Sequence, residues 1–432
     1  GLGGALLIIV LGTSGCVYWR LARVRGQLAE FPRFFTVEAA PGPTITFLKP
    51  VLRSGDIAWL VDLPPSEAGA EGDESERTWT LRKRTAPHAE SADRYPIDLR
   101  VILKRDRIHS VALPERFGGV GMGLVELALF IEEVGRSIAP IPAICHCVSA
   151  TLPLARFGTE ELQERFLPGV CEGSTLLTAA LAEPLNEDPV NPMTMTATAD
   201  GQDLLLTGTK VAVPYAAQSA RILMAARSVH GVAVVLVNPD ADGVSLKAMQ
   251  VTTYEPQYEI ALEAVRVPAG DVICHHDGER IMSWIAARTA VAICAHQLGA
   301  TDHALRMAAG YTAQREQFGV PVATFQAVGH RMADCYIDVE CLRLCTYQAV
   351  SLLDSEVDAT TQVQIAKIWA GDTGHRVSYA TQHVHGGMGI DRDYPLWRYC
   401  LWLRHNEMTL GGSSAHIAAL GACLARGEAV FN

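Results

Sequence analysis

The sequence predicts an α+β protein. A helical segment comes first, then a middle β-barrel-like domain, then a C-terminal antiparallel four-helix bundle, all behind an N-terminal apolar helix and a β-like segment. Three observations predict this order. Leu124, Leu127, Ala128 and Ile131 recur at helical spacing. Two strand-like runs, Met193–Ala199 and Leu204–Ala212, flank the turn dipeptide Asp200-Gly201. A proline-free helical stretch then runs from about Glu279 to Gln314, followed by further long helical patterns with short links.

Gly1 to Trp19 carries no charge and includes Leu6, Leu7, Ile8, Ile9, Val10 and Leu11, close to the roughly 20 apolar residues that span a bilayer. Arg20, Arg23 and Arg25 follow at once, which places the rest of the chain on the cytoplasmic side. Residues 1–26 are therefore expected to tether a cytoplasmic body to the inner membrane. Between residues 27 and 110 the chain carries β-like runs at Thr44–Leu48 and Ile57–Val61. An acidic loop at Glu67–Glu76 and a basic loop at Arg82–Arg84 read as solvated surface. This segment, residues 27–110, resembles nothing recognised and reads as a fused piece or as native sequence alike.

Residues 111–174 read as an incomplete helical domain, with Glu132-Glu133 on its polar side. Thr159 caps a short helix that opens with Glu160 and Glu161, acids suited to the positive helix end, and stops at Pro168. Residues 175–270 form the β domain, with an apolar strand at Val232–Val237 and a last strand at Val265–Val267. Residues 271–432 form the bundle. Its second helix follows Pro321 and aligns Met332, Cys335, Val339, Leu342, Ala349 and Leu353. The third contains Ile365, Ile368 and Trp369, and the last runs from Ser413-Ser414 to a C-cap at Gly427.

Hydrophobic residues at 49% and charged ones at 19% describe a globular chain. The net charge of −11 is concentrated after residue 107, which argues against nucleic acid as a partner. Most of the 11 cysteines fall in helical segments and read as free thiols in a reducing compartment. Cys145-His146-Cys147 and Cys274-His275-His276 lack a CxxC partner pair, so no metal is expected.

Four motifs occur in order: Leu113-Pro114-Glu115-Arg116-Phe117-Gly118-Gly119, Ala182-Glu183-Pro184, Arg315-Glu316-Gln317-Phe318-Gly319 with Phe325-Gln326, and His385-Gly386-Gly387-Met388-Gly389. With them, about three quarters of the chain, from Val111 onward, resembles the acyl-CoA dehydrogenases. The resemblance implies FAD as cofactor, an acyl-CoA substrate dehydrogenated between its α and β carbons, and an electron acceptor such as a flavoprotein. It also implies that Arg315, Phe318, Gln326, His383, Gly386 and Gly387 contact the FAD of a neighbouring subunit. A guanidinium suits a diphosphate because it presents a rigid fork of donors, and paired glycines let the backbone come close to the adenosine.

The other half of the family's site is missing. Ala182 and Leu185-Asn186-Glu187-Asp188 replace a threonine and a Gly-rich turn. Beyond Lys210, Ala212 and Pro214 stand where the family has the tryptophan and threonine flanking the flavin. The two places where the family puts its catalytic glutamate hold Gly411 and Thr289, neither of which accepts a proton near neutral pH. Glu407 and His416 lie near Gly411 but read as a solvated helix-end charge and a helix-surface residue. No catalytic residue is therefore assigned. Val213-Pro214-Tyr215-Ala216-Ala217, the His385–Pro395 stretch and Leu410-Gly411-Gly412-Ser413 are similar to bacterial heteromeric acyl-CoA dehydrogenases of steroid side-chain breakdown. That similarity implies a subunit without a glutamate, paired with a homologous dehydrogenase subunit that carries the base. The alternatives are a homo-oligomer with an unorthodox base and a non-catalytic, membrane-tethered paralogue.

Overall fold

The structure, a computed structural model, describes residues 58–62, 80–84 and 108–427. The apolar run at residues 1–19, the strand-like run at 44–48 and the acidic loop at 67–76 lie outside the described residues. The first described elements are β1 (Ala58–Asp62) and β2 (Thr80–Arg84), paired antiparallel with Trp59 opposite Lys83. Arg82–Arg84, expected in a loop, thus lie in a strand. Pairing with β1 places these basic residues in a strand although their type is uncommon there.

Helix α1 (Leu124–Ser137) packs against the long helix α4 (Gly278–Gln314). Their backbones nearly touch: a Cβ on Gly135 would lie 2.0 Å from the carbonyl oxygen of His296, and one on Gly299 1.8 Å from that of Glu132. Glu132 and Glu133, expected on a polar face, are buried. They are kept there by partners that the spacing of one helix does not reveal. Glu132 accepts bonds from Arg136 (2.5 Å), Arg343 (3.2 Å) and the Tyr347 hydroxyl (2.5 Å). Arg136 also bonds Glu133 and Asp302.

After α1 the chain winds wider, as a π-helix over Ala143–Thr151. Ser149 donates to the carbonyl of Ile144 at 3.2 Å and Thr151 to that of His146, both five residues back. Helix α2 (Leu152–Phe157) follows, and then α3 (Glu160–Cys171), capped by the Thr159 hydroxyl, which accepts from the Leu162 amide at 3.2 Å. Pro168 does not end α3, which runs three residues past it; a proline near a helix end removes one donor without stopping the last turn.

The middle of the chain holds β3 (Leu177–Ala180), β4 (Thr196–Asp200), β5 (Asp203–Pro214), β6 (Arg221–Ser228), β7 (Gly231–Val237), β8 (Val244–Met249), β9 (Gln257–Val267) and β10 (Val272–Cys274). The strands join in the order β10-β7-β6-β4-β5-β9-β8, with β3 beside β6. The path is open, with β10 and β8 at its ends, and is not a closed barrel. The expected last strand, Val265–Val267, is the end of β9, and β10 follows it. One face of the sheet carries Leu206, Met224, Val235 and Ile260; the other, with Leu223, Val234 and Leu236, packs on α3 and the start of α4.

A short hairpin, β11 (Glu316–Gln317) and β12 (Val320–Pro321), leads from α4 into α5 (Gln326–Asp354), followed by α6 (Thr360–His385), α7 (Leu396–Met408) and α8 (Ser413–Ala425). Helix α6 packs against α4, α5, α7 and α8. The α5 stripe buries Cys335, Val339, Leu342, Ala349 and Leu353, as its spacing predicts. On α6 the buried face belongs to Val363, Ala366, Ala370 and Val377, while Ile365, Ile368 and Trp369 are only half-buried. The stretch Leu396–Ala425 is long and apolar enough to cross a membrane by length and composition. It is nevertheless two helices, α7 and α8, both packed on α6.

Candidate functional site

The C-terminal ends of α4 and α6 and the start of α5 meet at one end of the helical body. Tyr311 of α4 stacks on His385 of α6, with ring centroids 4.3 Å apart, and Arg331 of α5 touches His383 of α6. The residues expected to hold a nucleotide lie on the segments that meet there.

Arg315 is held through its backbone. Its amide donates to Tyr311 at 2.8 Å, and its carbonyl accepts from Val322 at 2.7 Å. Its side chain is exposed and pairs with no carboxylate among the described residues. Phe318 and Gly319 form the two-residue turn of the β11–β12 hairpin, at φ +56° and +78°. A phenylalanine in the left-handed region is strained, and this one is 93% exposed, so burial does not offset the strain. Phe325 meets it edge-to-face at 6.2 Å, and Gln326 opens α5 at the surface. Gly386 sits at φ +58°, and a Cβ on Gly386 or Gly387 would meet nothing within 4 Å. Their exposed backbone leaves room for a ligand. A rigid cation, donor-bearing side chains and open backbone suit the anionic diphosphate half of FAD.

The sheet side differs. Ala212 lies exposed at φ +53° in a bulge of the β5–β9 ladder. Tyr215, also left-handed at φ +52°, is buried in a small cluster with Cys145 and Leu176. Thr178 donates its hydroxyl to the Pro214 carbonyl at 2.6 Å, so that hydroxyl is already used. No aromatic wall and no free hydroxyl stand at the positions where the family's flavin contacts are expected.

Glu183 is a structural residue that its motif did not announce. Burial acts to raise its pKa, but the Thr194 amide and Lys210 pull it down to about 2. It accepts from the amides of Met193 (2.8 Å), Thr194 (2.6 Å) and Met195 (3.3 Å) and from Lys210 Nζ (2.9 Å). The carboxylate therefore ties down the 184–195 loop and is no proton acceptor.

The two expected base positions hold no acid in the folded chain either. Thr289 is buried in α4, its hydroxyl 2.9 Å from that of Ser149. Gly411, at φ +89°, follows Leu410 at φ +57° in the turn between α7 and α8. His416 is not a surface residue: it is half-buried, contacting the Leu410 carbonyl at 2.9 Å and Gln364 at 2.5 Å. Glu407 is not freely solvated; Arg404 lies 2.6 Å and His375 3.4 Å from its carboxylate. The sequence reading also missed Lys367. Buried in α6, it donates to the carbonyls of Asn406 (2.9 Å) and Glu407 (3.3 Å) and braces the end of α7, and burial pushes its pKa down to about 8. A lysine inside the apolar run Ile365–Ala370 was the available signal.

Helices, an open sheet and then further helices define a mixed α+β chain of the flavoenzyme kind. The N-terminal domain of acyl-CoA dehydrogenases matches residues 78–174, beginning ahead of the first motif, and their C-terminal domain matches residues 276–424. The acyl-CoA dehydrogenase FadE27 of Mycobacterium tuberculosis is 35% identical over 326 residues, covering 74% of this chain and 85% of the relative. Among solved structures, a variant of the Tcur3481–Tcur3483 steroid ACAD is 38% identical with a TM-score of 0.71, covering 76% of this chain and 88% of that one. The ChsE4–ChsE5 complex of Mycobacterium tuberculosis is 34% identical with a TM-score of 0.73, covering 78% and 90%. The chain belongs to the acyl-CoA dehydrogenase family, FAD-dependent oxidoreductases that act on the CH–CH bond of acyl-CoA thioesters.

Proposed function

We propose that this chain is the FAD-completing subunit of a heteromeric acyl-CoA dehydrogenase acting in lipid or steroid side-chain breakdown. The observation that carries the reading is the pairing of Arg315, without a carboxylate partner among the described residues, and the strained, exposed Phe318. The strain at Phe318 costs the isolated chain something, and both side chains stand exposed to a ligand bound from outside. The two similar solved structures are each named for two chains, which supports a partner of the same family.

In this reading Arg315 donates to the FAD diphosphate, Gly386 and Gly387 bring the backbone close, Gln326 and His383 offer polar contacts, and Phe318 covers the cofactor. The flavin, when bound, supplies the acceptor for a hydride from the β carbon of the thioester. The α proton goes to a carboxylate of the homologous partner, because Gly411 and Thr289 provide none here. The five helices α4 to α8 then take the place of the family's antiparallel four-helix bundle, residues 175–270 that of its barrel-like middle domain, and 111–174 that of its N-terminal helices. The apolar residues 1–19 would tether the assembly to the inner membrane.

Co-expression with the homologous subunit, followed by a flavin spectrum, tests the proposal. We expect FAD in the complex and little in this chain purified alone. Arg315→Ala should weaken FAD binding roughly tenfold to a hundredfold without unfolding the helices. Stoichiometric yellow protein from this chain alone would favour a homo-oligomer instead, and unchanged flavin in the variant would leave Arg315 as a surface charge.

A further inference from the structure

We infer that Arg331, paired with His383, is a second grip on the adenosine diphosphate half of the same FAD. The inference rests on the reading proposed above and adds a residue to which no motif pointed. Arg331 lies on α5, about one and a half turns after Gln326, and its Nη1 contacts Nδ1 of His383 near the end of α6. A guanidinium has only donors, so in this contact His383 Nδ1 is the acceptor and Nε2 is left to donate. The remaining N–H groups of Arg331 and the Nε2–H of His383 then make a site of donors only.

Among the described residues no carboxylate is in ion-pair contact with this site, although Asp334 lies one turn further along α5. Arg331 pairs with no carboxylate there, whereas the neighbouring Arg376 on α6 is held by Asp338 at 2.6 Å. A cationic site without a paired carboxylate, at the same end of the helices as Arg315 and Gly386-Gly387, fits an oxyanion-bearing nucleotide better than an acyl chain. The exposed ring of Tyr379, 6.2 Å from that of His383, adds an apolar face beside it. Two guanidiniums from two segments can meet the two phosphates of a diphosphate from different sides, and one alone cannot.

The test uses the co-expressed complex and compares FAD with FMN, which lacks the adenosine monophosphate portion. Arg331→Ala should raise the Kd for FAD about tenfold and leave that for FMN unchanged, with the same unfolding midpoint. Arg331→Lys, which keeps the charge but not the fork, should fall between. Equal loss of FAD and FMN affinity, or a lowered unfolding midpoint, would make Arg331 a packing residue and overturn the inference. So would an unchanged FAD Kd in Arg331→Ala while Arg315→Ala loses flavin; that result would leave the larger proposal standing. Failure of the wild-type complex to take up FAD would overturn both.

Discussion

Gly411 shows what a single residue decides here. Its left-handed backbone and its neighbours, with Ala415 3.3 Å and His416 3.4 Å from a built Cβ, leave poor room for an acid. Gly411→Glu should therefore lose about 1–3 kcal/mol of stability. It should also give no turnover, because Ala212 and Pro214 provide no flavin wall. An assay of the purified variant with a panel of acyl-CoA esters and an acceptor dye checks this, and clear turnover would place a working flavin in this chain. That Gly411 itself cannot be a base was legible in the sequence, because a glycine cannot accept a proton in any fold. The roles of Glu183 and Lys367 were not, because each depends on carbonyls, amides or charges far away in sequence. Arg331 was hidden for the same reason: its partner lies 52 residues later, on another helix.

At the scale of elements, the crossing of α1 and α4 sets the geometry of the helical body. Gly299→Ala would push a methyl into the backbone of Glu132. We expect a loss of at least about 1–3 kcal/mol, read as a lower urea midpoint, with no change in the fold of the sheet. A midpoint equal to that of the wild type would mean that the two helices can part at no cost. The helices themselves were readable from apolar spacing, and α4 begins one residue from where the sequence placed it. The face of a helix was less readable where charge is buried. Glu132 looks like a surface residue until Arg136 from its own helix and Arg343 and Tyr347 from α5 meet it. Strand limits drifted for a similar reason, since sheet pairing extended β5 through Pro214 and added β10.

For the molecule as a whole, buried histidines set the response to acid. Burial holds His146 and His296 down to about 3, and His303 and His405 to about 4, against the ordinary 6.5. The unfolded chain takes these protons near pH 6.5 and the folded chain does not. Their contribution is thus complete above pH 6.5 and is lost as pH falls toward 4. Each group costs up to about 1.4 kcal/mol per pH unit in that window. Urea unfolding at pH 7.5 and 5.5 should show the loss, and His296→Gln should make it smaller. Equal stability at the two pH values would mean that these rings are reached by water. The order of helices, sheet and helices was the most legible feature at this scale, because it needs only the change of period from helix to strand and back. The open edge of the sheet was not, because closure depends on pairings between strands distant in sequence.

The hairpin tip has one more consequence. Phe318, 93% exposed, and Phe325 beside it, 39% exposed, put two aromatic rings at the tip that a partner would cover in the heteromer proposed above. If that heteromer forms, a copy left without its partner would keep this surface open to chaperones and proteases, and its lifetime would follow the partner's supply. Matched synthesis of the two chains would then serve it better than an excess of either.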